Sequence, residues 1–124
     1  MVSKALVSPP HSLVLLKDPA SGGIPDSMHG GLVATTGSCI AIGTRSEHDG
    51  KTSIIVFDSA PADIPTDQLV FDGVLEVPSR RLELGSVLGD AYLTVDVPSP
   101  TVRVRVWAND GLEPDLICIE LQPA

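Results

Sequence analysis

Short runs of β-branched and other apolar residues recur along the whole chain, separated by proline, glycine, aspartate and serine. The clearest run is 101–111, "TVRVRVWANDG", in which Val102, Val104 and Val106 alternate with two arginines. Period-two alternation of this kind is typical of a strand with one buried face. Its repetition at short spacing predicts a sandwich or a barrel, and no run of helical period free of glycine and proline competes with it.

The pattern predicts an all-β protein, an antiparallel β-sandwich of about 7–9 strands with little or no helix. Residues 1–124 are expected to form a single β-sandwich domain. Eleven prolines and eleven glycines, nearly all between the apolar runs, fit a chain with many turns. At most one helical turn is predicted, within Ala60–Leu69. The predicted strands are His11–Lys17, Leu32–Thr35, Ser38–Gly43, Thr52–Asp58, Leu69–Val77, Arg81–Leu84, Ala91–Val97, Thr101–Ala108 and Leu116–Gln122.

Two local arrangements follow from turn residues and apolar character. Cys39–Phe57 is predicted to form a hairpin, because Asp49-Gly50 supplies the positive φ values that a tight turn needs. The run Ile54–Phe57 is apolar on both faces, as in a central strand covered on each side. Asp18–Gly31 has no strand pattern and is predicted to be an exposed loop.

The last three strands are predicted to form a meander in which apolar residues face apolar residues. Val104 is then opposite Val95 on one side and opposite Ile119 on the other. This register presumes that the three strands are neighbours in one sheet.

The same register assigns partners to the two arginines of the late strand. Arg103 faces Asp96 and Glu120, and exposed pairs of this kind add little stability. Arg105 faces only Thr94 and Cys118. Arg105 is therefore the arginine of this strand that is left for a ligand.

The charge balance excludes some classes of partner. The net charge is −8, with 16 acidic and 8 basic residues, and aromatic residues make up only 3%. An acidic surface repels phosphate backbones, and a base-stacking surface needs aromatic side chains, so direct binding of nucleic acid is not expected. No apolar stretch approaches the ~20 residues that span a bilayer. The predicted location is cytoplasmic, with no membrane partner, and Cys39 and Cys118 are then expected to be free thiols.

Acidic residues are concentrated in one segment. Nineteen residues, 58–76, contain five acids and no lysine or arginine. A solvated face is the ordinary explanation, and a docking surface for a basic protein is the functional one. The candidate partner-binding residues are the five acids together with the remaining arginine: Asp58, Asp63, Asp67, Asp72, Glu76 and Arg105.

No motif predicts catalysis, a metal site or a cofactor. His11, His29 and His48 are far apart and have no metal-ligand spacing. The two cysteines lack CxxC spacing, and neither a GxSxG turn nor a phosphate-binding loop is present. The chain is therefore predicted not to be an enzyme and to carry no cofactor.

The sequence also resembles a known family. "FDGVLEVPSRRLELGSV" followed by "YLTVDVPSPTVRVRVWANDG" is similar to the ComJ-type competence proteins and related small bacterial β-sandwich proteins. His11–Leu16, Gly37–Phe57 and Val102–Trp107 match their leading strand, D-G hairpin and late alternating strand, although Val102 stands where an aromatic residue is common. The resemblance implies a β-sandwich that binds and inhibits a nuclease acting in DNA uptake, and it transfers no individual functional residue.

Three interpretations of function remain open. The first is a bacterial protein-binding domain, an inhibitor or immunity-like protein for a basic enzyme such as a nuclease. The second is a small-ligand or carbohydrate-binding sandwich, or an enzyme with a cryptic site, with a pocket beneath Asp18–Gly31 that involves His29. The third is a homodimeric structural subunit that associates through Ile54–Phe57.

Overall fold

The structure is a computed structural model, and it describes residues 1–20, 23–58 and 68–124. In these three ranges it contains ten strands and one short 3-10 turn, Pro10–Ser12. The strands are β1 (Val2–Val7), β2 (Leu13–Lys17), β3 (Val33–Thr35), β4 (Cys39–Gly43), β5 (Thr52–Phe57), β6 (Gln68–Glu76), β7 (Arg81–Ser86), β8 (Ala91–Asp96), β9 (Thr101–Ala108) and β10 (Leu116–Pro123).

The strands form two five-stranded sheets. The first sheet has the order β1-β5-β10-β9-β6, and the second has the order β3-β4-β2-β7-β8. Among the described strands every pairing is antiparallel except that of β5 with β10. The predicted all-β class is confirmed, with one strand more than the upper limit expected.

The aliphatic inner faces of the two sheets form one core. Val14 and Ile42 of the second sheet and Val104 and Ile119 of the first sheet are completely buried in the same cluster. Each alternates along its strand with outward-facing residues, and this alternation is what the sequence pattern reflects. A smaller cluster around Leu15 covers the outer face of the second sheet.

The strand that sequence analysis missed is β1. Val2 and Leu6 point outward and are 54% and 63% exposed, whereas Ser3 and Ala5 point inward. An edge strand with apolar residues outside and a polar residue inside lacks the alternation by which a strand is recognised.

The prediction that Cys39–Phe57 forms a hairpin is wrong, because its two strands do not pair with each other. β4 lies between β3 and β2 in the second sheet, whereas β5 lies between β1 and β10 in the first sheet. A turn is present directly before Gly50, where the amide of Asp49 donates to the carbonyl oxygen of Ser46 at 3.0 Å. Gly50 has a φ of 132°, whereas Asp49 has no positive φ, and the turn belongs to a crossover between sheets. β5 is a central strand, as its two-sided apolar character predicted.

The predicted meander is wrong for the pairing of β8 with β9, and the pairing of β9 with β10 is present in a shifted register. β8 pairs with β7 in the second sheet, so Val95 does not face Val104. β9 and β10 do pair, but Val106 rather than Val104 lies opposite Ile119. A shift of two residues keeps every side chain on its face, so the alternation could not reveal it.

Gly85 provides a test of this packing. It lies at the irregularity where β7 pairs with β8, and a Cβ atom built on it would be 2.3 Å from the carbonyl oxygen of Asp90. Gly85→Ala is expected to lower the free energy of unfolding by about 1–3 kcal/mol, because backbone has to move. Urea denaturation measures this.

The matched control is Gly23→Ala. A Cβ atom there would meet only the Oγ of Ser38, at 3.8 Å, an ordinary contact. Its effect is expected to stay within about 0.5 kcal/mol. Equal losses in the two variants would contradict the close approach at Gly85.

Candidate partner-binding surface

Four of the six candidate partner-binding residues lie in the part of the chain that the structure describes. Asp63 and Asp67 fall outside it. Asp72 and Glu76 are on β6, Arg105 is on β9, and Asp58 directly follows β5. The Oδ1 of Asp58 accepts a hydrogen bond of 2.6 Å from the N-terminal ammonium, so this acid is already engaged.

The outward side chains of β6 and β9 form a surface that brings two of the candidate residues together. Asp72 is opposite Arg105, and Val74 is opposite Arg103, in the antiparallel register of the two strands. We call this surface the β6–β9 face. It consists of Leu69, Asp72, Val74, Arg103 and Arg105.

An ion cluster crosses three strands of the first sheet at this face. The Nε and Nη2 of Arg103 donate to Oδ1 and Oδ2 of Asp72 at 2.9 and 2.8 Å, a bidentate arrangement. The Nε of Arg105 lies 3.6 Å from Oδ2 of Asp72, and its Nη1 lies 3.7 Å from Oε1 of Glu120. Asp72 and Arg105 therefore each have two oppositely charged neighbours.

This cluster corrects the predicted partners of the two arginines. Arg103 pairs with Asp72, and Arg105, which was expected to have no acidic neighbour, lies between two carboxylates. Asp96 is in the other sheet, 3.9 Å from Arg81. The reasons are the two-residue register shift of β10 and the placement of β8 in the second sheet.

The pKa of Asp72 is lowered from its ordinary value. The largest cause is the hydrogen bond from Arg103. Desolvation opposes it as the second-largest effect, and the charges of Arg103 and Arg105 lower the pKa further. The pKa of Arg103 is raised for the reciprocal reason. Both groups are charged at neutral pH, and Asp72 contributes little free negative charge to a partner.

Glu120 is the member of the cluster that sequence analysis did not select. It is only 5% exposed although it points outward from the central strand β10. Its Oε1 and the Nε of Arg105 are buried and have no hydrogen-bond partner. The sequence signal was a glutamate inside the apolar run "LICIELQ", since a carboxylate in such a strand needs a nearby cation.

Exposed apolar side chains flank the ion cluster. Leu69 and Val74 are 50% and 52% exposed, and the half-buried Trp107 stacks on Phe57 with ring centroids 6.4 Å apart. Arginine and aromatic residues beside exposed aliphatic groups are features of protein interfaces. The β6–β9 face therefore combines paired charges with exposed aliphatic side chains.

A concave acidic cleft lies at the end of the sandwich where β9 leads into β10. It has a volume of about 420 Å³ and includes four carboxylates and one guanidinium. Arg45 lies 3.3 Å from Asp115 and also donates to the carbonyl oxygen of Asp49. We call this the acidic cleft. Its lining residues are Arg45, Asp49, Asn109, Asp110, Glu113 and Asp115.

A second concavity of about 310 Å³ lies beside it, partly beneath the loop for which a pocket was suggested. Met28, Gly30 and Gly31 of that loop line it, and His11 rather than His29 supplies the imidazole. About half of its lining surface is polar, and its apolar part comes from Leu13, Met28, Leu32 and Leu112, after which we call it the apolar cavity. Its remaining lining residues are Ser12, Leu13, Leu32, Gly43, Thr44, Gly111, Leu112 and Glu113.

Other predicted features have structural explanations. Cys39 and Cys118 are buried in different sheets and form no disulfide with each other, and burial raises the pKa of Cys39 to about 11. Asp18 is fully buried, and its carboxylate accepts from the amides of Ala20 and Ser79 at 2.8 and 2.7 Å. Within the described ranges no three His, Cys, Asp or Glu side chains are grouped as metal ligands, and no helix could span a membrane.

No protein-family model matches this chain, and no curated protein matches it. Two solved structures share its fold. ComJ from Bacillus subtilis, described as an inhibitor of the DNA-degrading activity of NucA, has a TM-score of 0.70 and 13% identity, over 100% of this chain and 96% of ComJ. A protein described as crocagin biosynthetic gene J has a TM-score of 0.57 and 18% identity, over 99% of this chain and 98% of that one. The resemblance to ComJ is confirmed at the level of the fold.

The two arginines of β9 are expected to differ in their effect on stability. Arg105→Leu leaves the buried Glu120 carboxylate without its cation and is expected to cost about 2–4 kcal/mol. Arg103→Leu removes a more exposed partner and is expected to cost no more than about 1 kcal/mol. Denaturant unfolding of both variants tests this ranking, and equal losses would contradict the burial of Glu120.

Asp72 is expected to make stability depend on pH. Its pKa in the folded state is below the ordinary value of 3.8, so its ionised form stabilises the fold above that value, and this contribution is lost as the pH falls through the folded pKa. The Tm of Asp72→Asn is expected to be lower than that of the unmodified protein at pH 7, with the gap closing in acid. A constant gap would show that the charge of Asp72 is not responsible.

Proposed function

We propose that this chain is a non-enzymatic protein-binding domain that inhibits a basic enzyme, such as a DNA-degrading nuclease. The observation that carries the proposal is the likeness to ComJ over the whole of this chain. The two proteins have little sequence in common, so what supports a shared role is the scaffold together with the charge of this chain. At −8, the chain is suited to the capture of a cationic protein.

The β6–β9 face supports this function better than catalysis. Its charged groups are engaged with one another, and its leucine and valine are about half exposed with respect to the described part of the chain. An interface gains affinity by burying such apolar groups and gains orientation from arginines. Glu76 at the end of β6 adds an exposed acid. We propose Asp58, Asp72, Glu76 and Arg105 as contact residues, together with the acids Asp63 and Asp67.

The apolar cavity favours a second candidate function, the binding of a small ligand. Its volume of about 310 Å³ is at the lower limit for ligand pockets, which bury most of the ligand. The cavity is open and has few convergent polar side chains. We therefore place this function second.

Inhibition of a nuclease tests the proposal directly. Degradation of DNA by purified NucA from Bacillus subtilis is measured with increasing amounts of this protein, at about 0.05 M and about 0.5 M salt. We expect inhibition that weakens at least roughly tenfold at high salt, because screening removes the electrostatic attraction. Glu76→Lys is expected to weaken it further at low salt, and Asp96→Asn on the second sheet is the control.

Capture of binding partners from an extract of the source organism tests the proposal without assuming which nuclease is the partner. The immobilised protein is incubated with cell extract at the two salt concentrations, and bound proteins are identified by mass spectrometry. A basic enzyme retained only at low salt supports the proposal. Failure to inhibit NucA together with no salt-sensitive capture of any basic protein would contradict it.

A further inference from the structure

The apolar cavity and the acidic cleft share one wall. The loop from Asn109 to Asp115 connects β9 to β10, and its Glu113 lines both concavities. Leu112, one residue earlier, stands on the rim of the apolar cavity and is 81% exposed. A concavity whose lining is about half apolar and an anionic concavity therefore lie side by side at one end of the sandwich.

Main-chain hydrogen bonds fix the walls of the apolar cavity. Gly43 donates to the carbonyl oxygen of Leu32, and Thr44 donates to that of Ser12, both at 2.8 Å. Gly31 donates to the carbonyl oxygen of Met28, also at 2.8 Å. A concavity built from bonded backbone is formed before a partner arrives, so little ordering is needed on binding.

Hydrogen bonds also fix the loop that separates the two concavities. The Oδ1 of Asp110 accepts from the amides of Leu112 and Glu113 at 2.7 and 3.0 Å. The amide of Arg45 donates to the carbonyl oxygen of Pro114 at 3.0 Å, which ties the loop to the crossover between the sheets. Leu112 is thus an exposed leucine on a fixed support.

The acidic cleft retains negative charge that no ion pair within the described residues neutralises. Arg45 is bonded to Asp115, whereas Asp49, Asp110 and Glu113 form no ion pair with any described residue. Their carboxylates are exposed, and they attract a cation most strongly where a partner displaces water from the concavity.

We propose that this end of the sandwich docks a basic segment of the partner protein, with an apolar side chain in the apolar cavity and an adjacent lysine or arginine in the acidic cleft. The inference rests on the proposed function, because that function supplies a cationic protein as partner. A second copy of this chain would bring like charges together. An exposed leucine beside an apolar concavity fits a protein contact, and the carboxylates select a basic one.

The surface joins the β6–β9 face. Gly111 lies against the first residue of β6, where a Cβ atom would be 3.8 Å from Oε1 of Gln68. Leu69 follows directly on the β6–β9 face. One partner can therefore contact both surfaces.

A peptide titration followed by NMR tests the inference without a known partner. The probe is a short cyclic peptide with a Leu-Arg pair at its centre, and the control peptides carry Leu-Glu or Ser-Arg instead. We expect the Leu-Arg peptide to bind at least roughly fivefold more tightly than either control, because it satisfies both concavities. The shifted amides are expected to lie around Leu13, Leu32 and Leu112.

Two variants connect the titration to the named residues. Leu112→Ser and Glu113→Gln are each expected to weaken the Leu-Arg peptide by roughly three- to tenfold. Both side chains are exposed, so the fold is retained. The matched controls are Leu88→Ser, a leucine that is 70% exposed at the β7–β8 turn, and Asp96→Asn on β8. These controls are expected to leave the affinity unchanged.

The outcomes separate this inference from the proposed function. Equal affinity for all three peptides, or shifts confined to other surfaces, would overturn the docking site. It would also be overturned if Leu112→Ser and Glu113→Gln inhibited a nuclease as well as the unmodified protein does, and the proposed function would then stand. If the peptide pattern appeared but no basic protein were bound or inhibited, the docking preference would stand and the inhibitor role would fall.

Discussion

The packing of two aliphatic inner faces is the constraint on which the rest of this structure depends. The core cluster is built from valine, leucine and isoleucine, with Phe71 and Tyr92 only partly buried against it. Branched aliphatic side chains fill a sandwich core only when strict alternation places them all on one side. On β9 this requirement turns Val102, Val104 and Val106 inward and therefore turns the intervening arginines outward.

The ion cluster follows from this packing. Once Arg103 and Arg105 point outward, the outward residues of the flanking strands decide their partners, and these are Asp72 on β6 and Glu120 on β10. The arginines neutralise Asp72, which the sequence had suggested as a free docking charge. Among the described residues, Asp49, Asp110 and Glu113 of the acidic cleft form no ion pair, and they lie in loops, where no strand register supplies a cation. The acidic cleft therefore offers a partner negative charge at this end of the sandwich, in addition to the exposed Glu76 on β6.

Local alternation predicted nine of the ten strands, because it is a property of each segment alone. It did not predict β1, where Ser3 faces inward, nor the assignment of strands to sheets. The register of β9 and β10 was two residues off, since a shift of two exchanges Arg103 for Arg105 opposite Glu120 without moving any side chain to the other face. The structure brings two of the candidate residues, Asp72 and Arg105, together with Arg103 and Glu120, which sequence analysis did not select, and their role in binding a partner stays a prediction.

The two concavities could not be predicted from sequence for a related reason. They arise where the crossover after β4 meets the loop after β9, and the contact between Arg45 and Asp115 joins residues 70 positions apart. No local pattern encodes such a meeting, because it depends on the chain passing from one sheet to the other. ComJ shares the scaffold at 13% identity, so most surface residues differ between the two proteins. In a rigid sandwich the loops at the ends are free to vary, and the choice of partner is therefore expected to be encoded there.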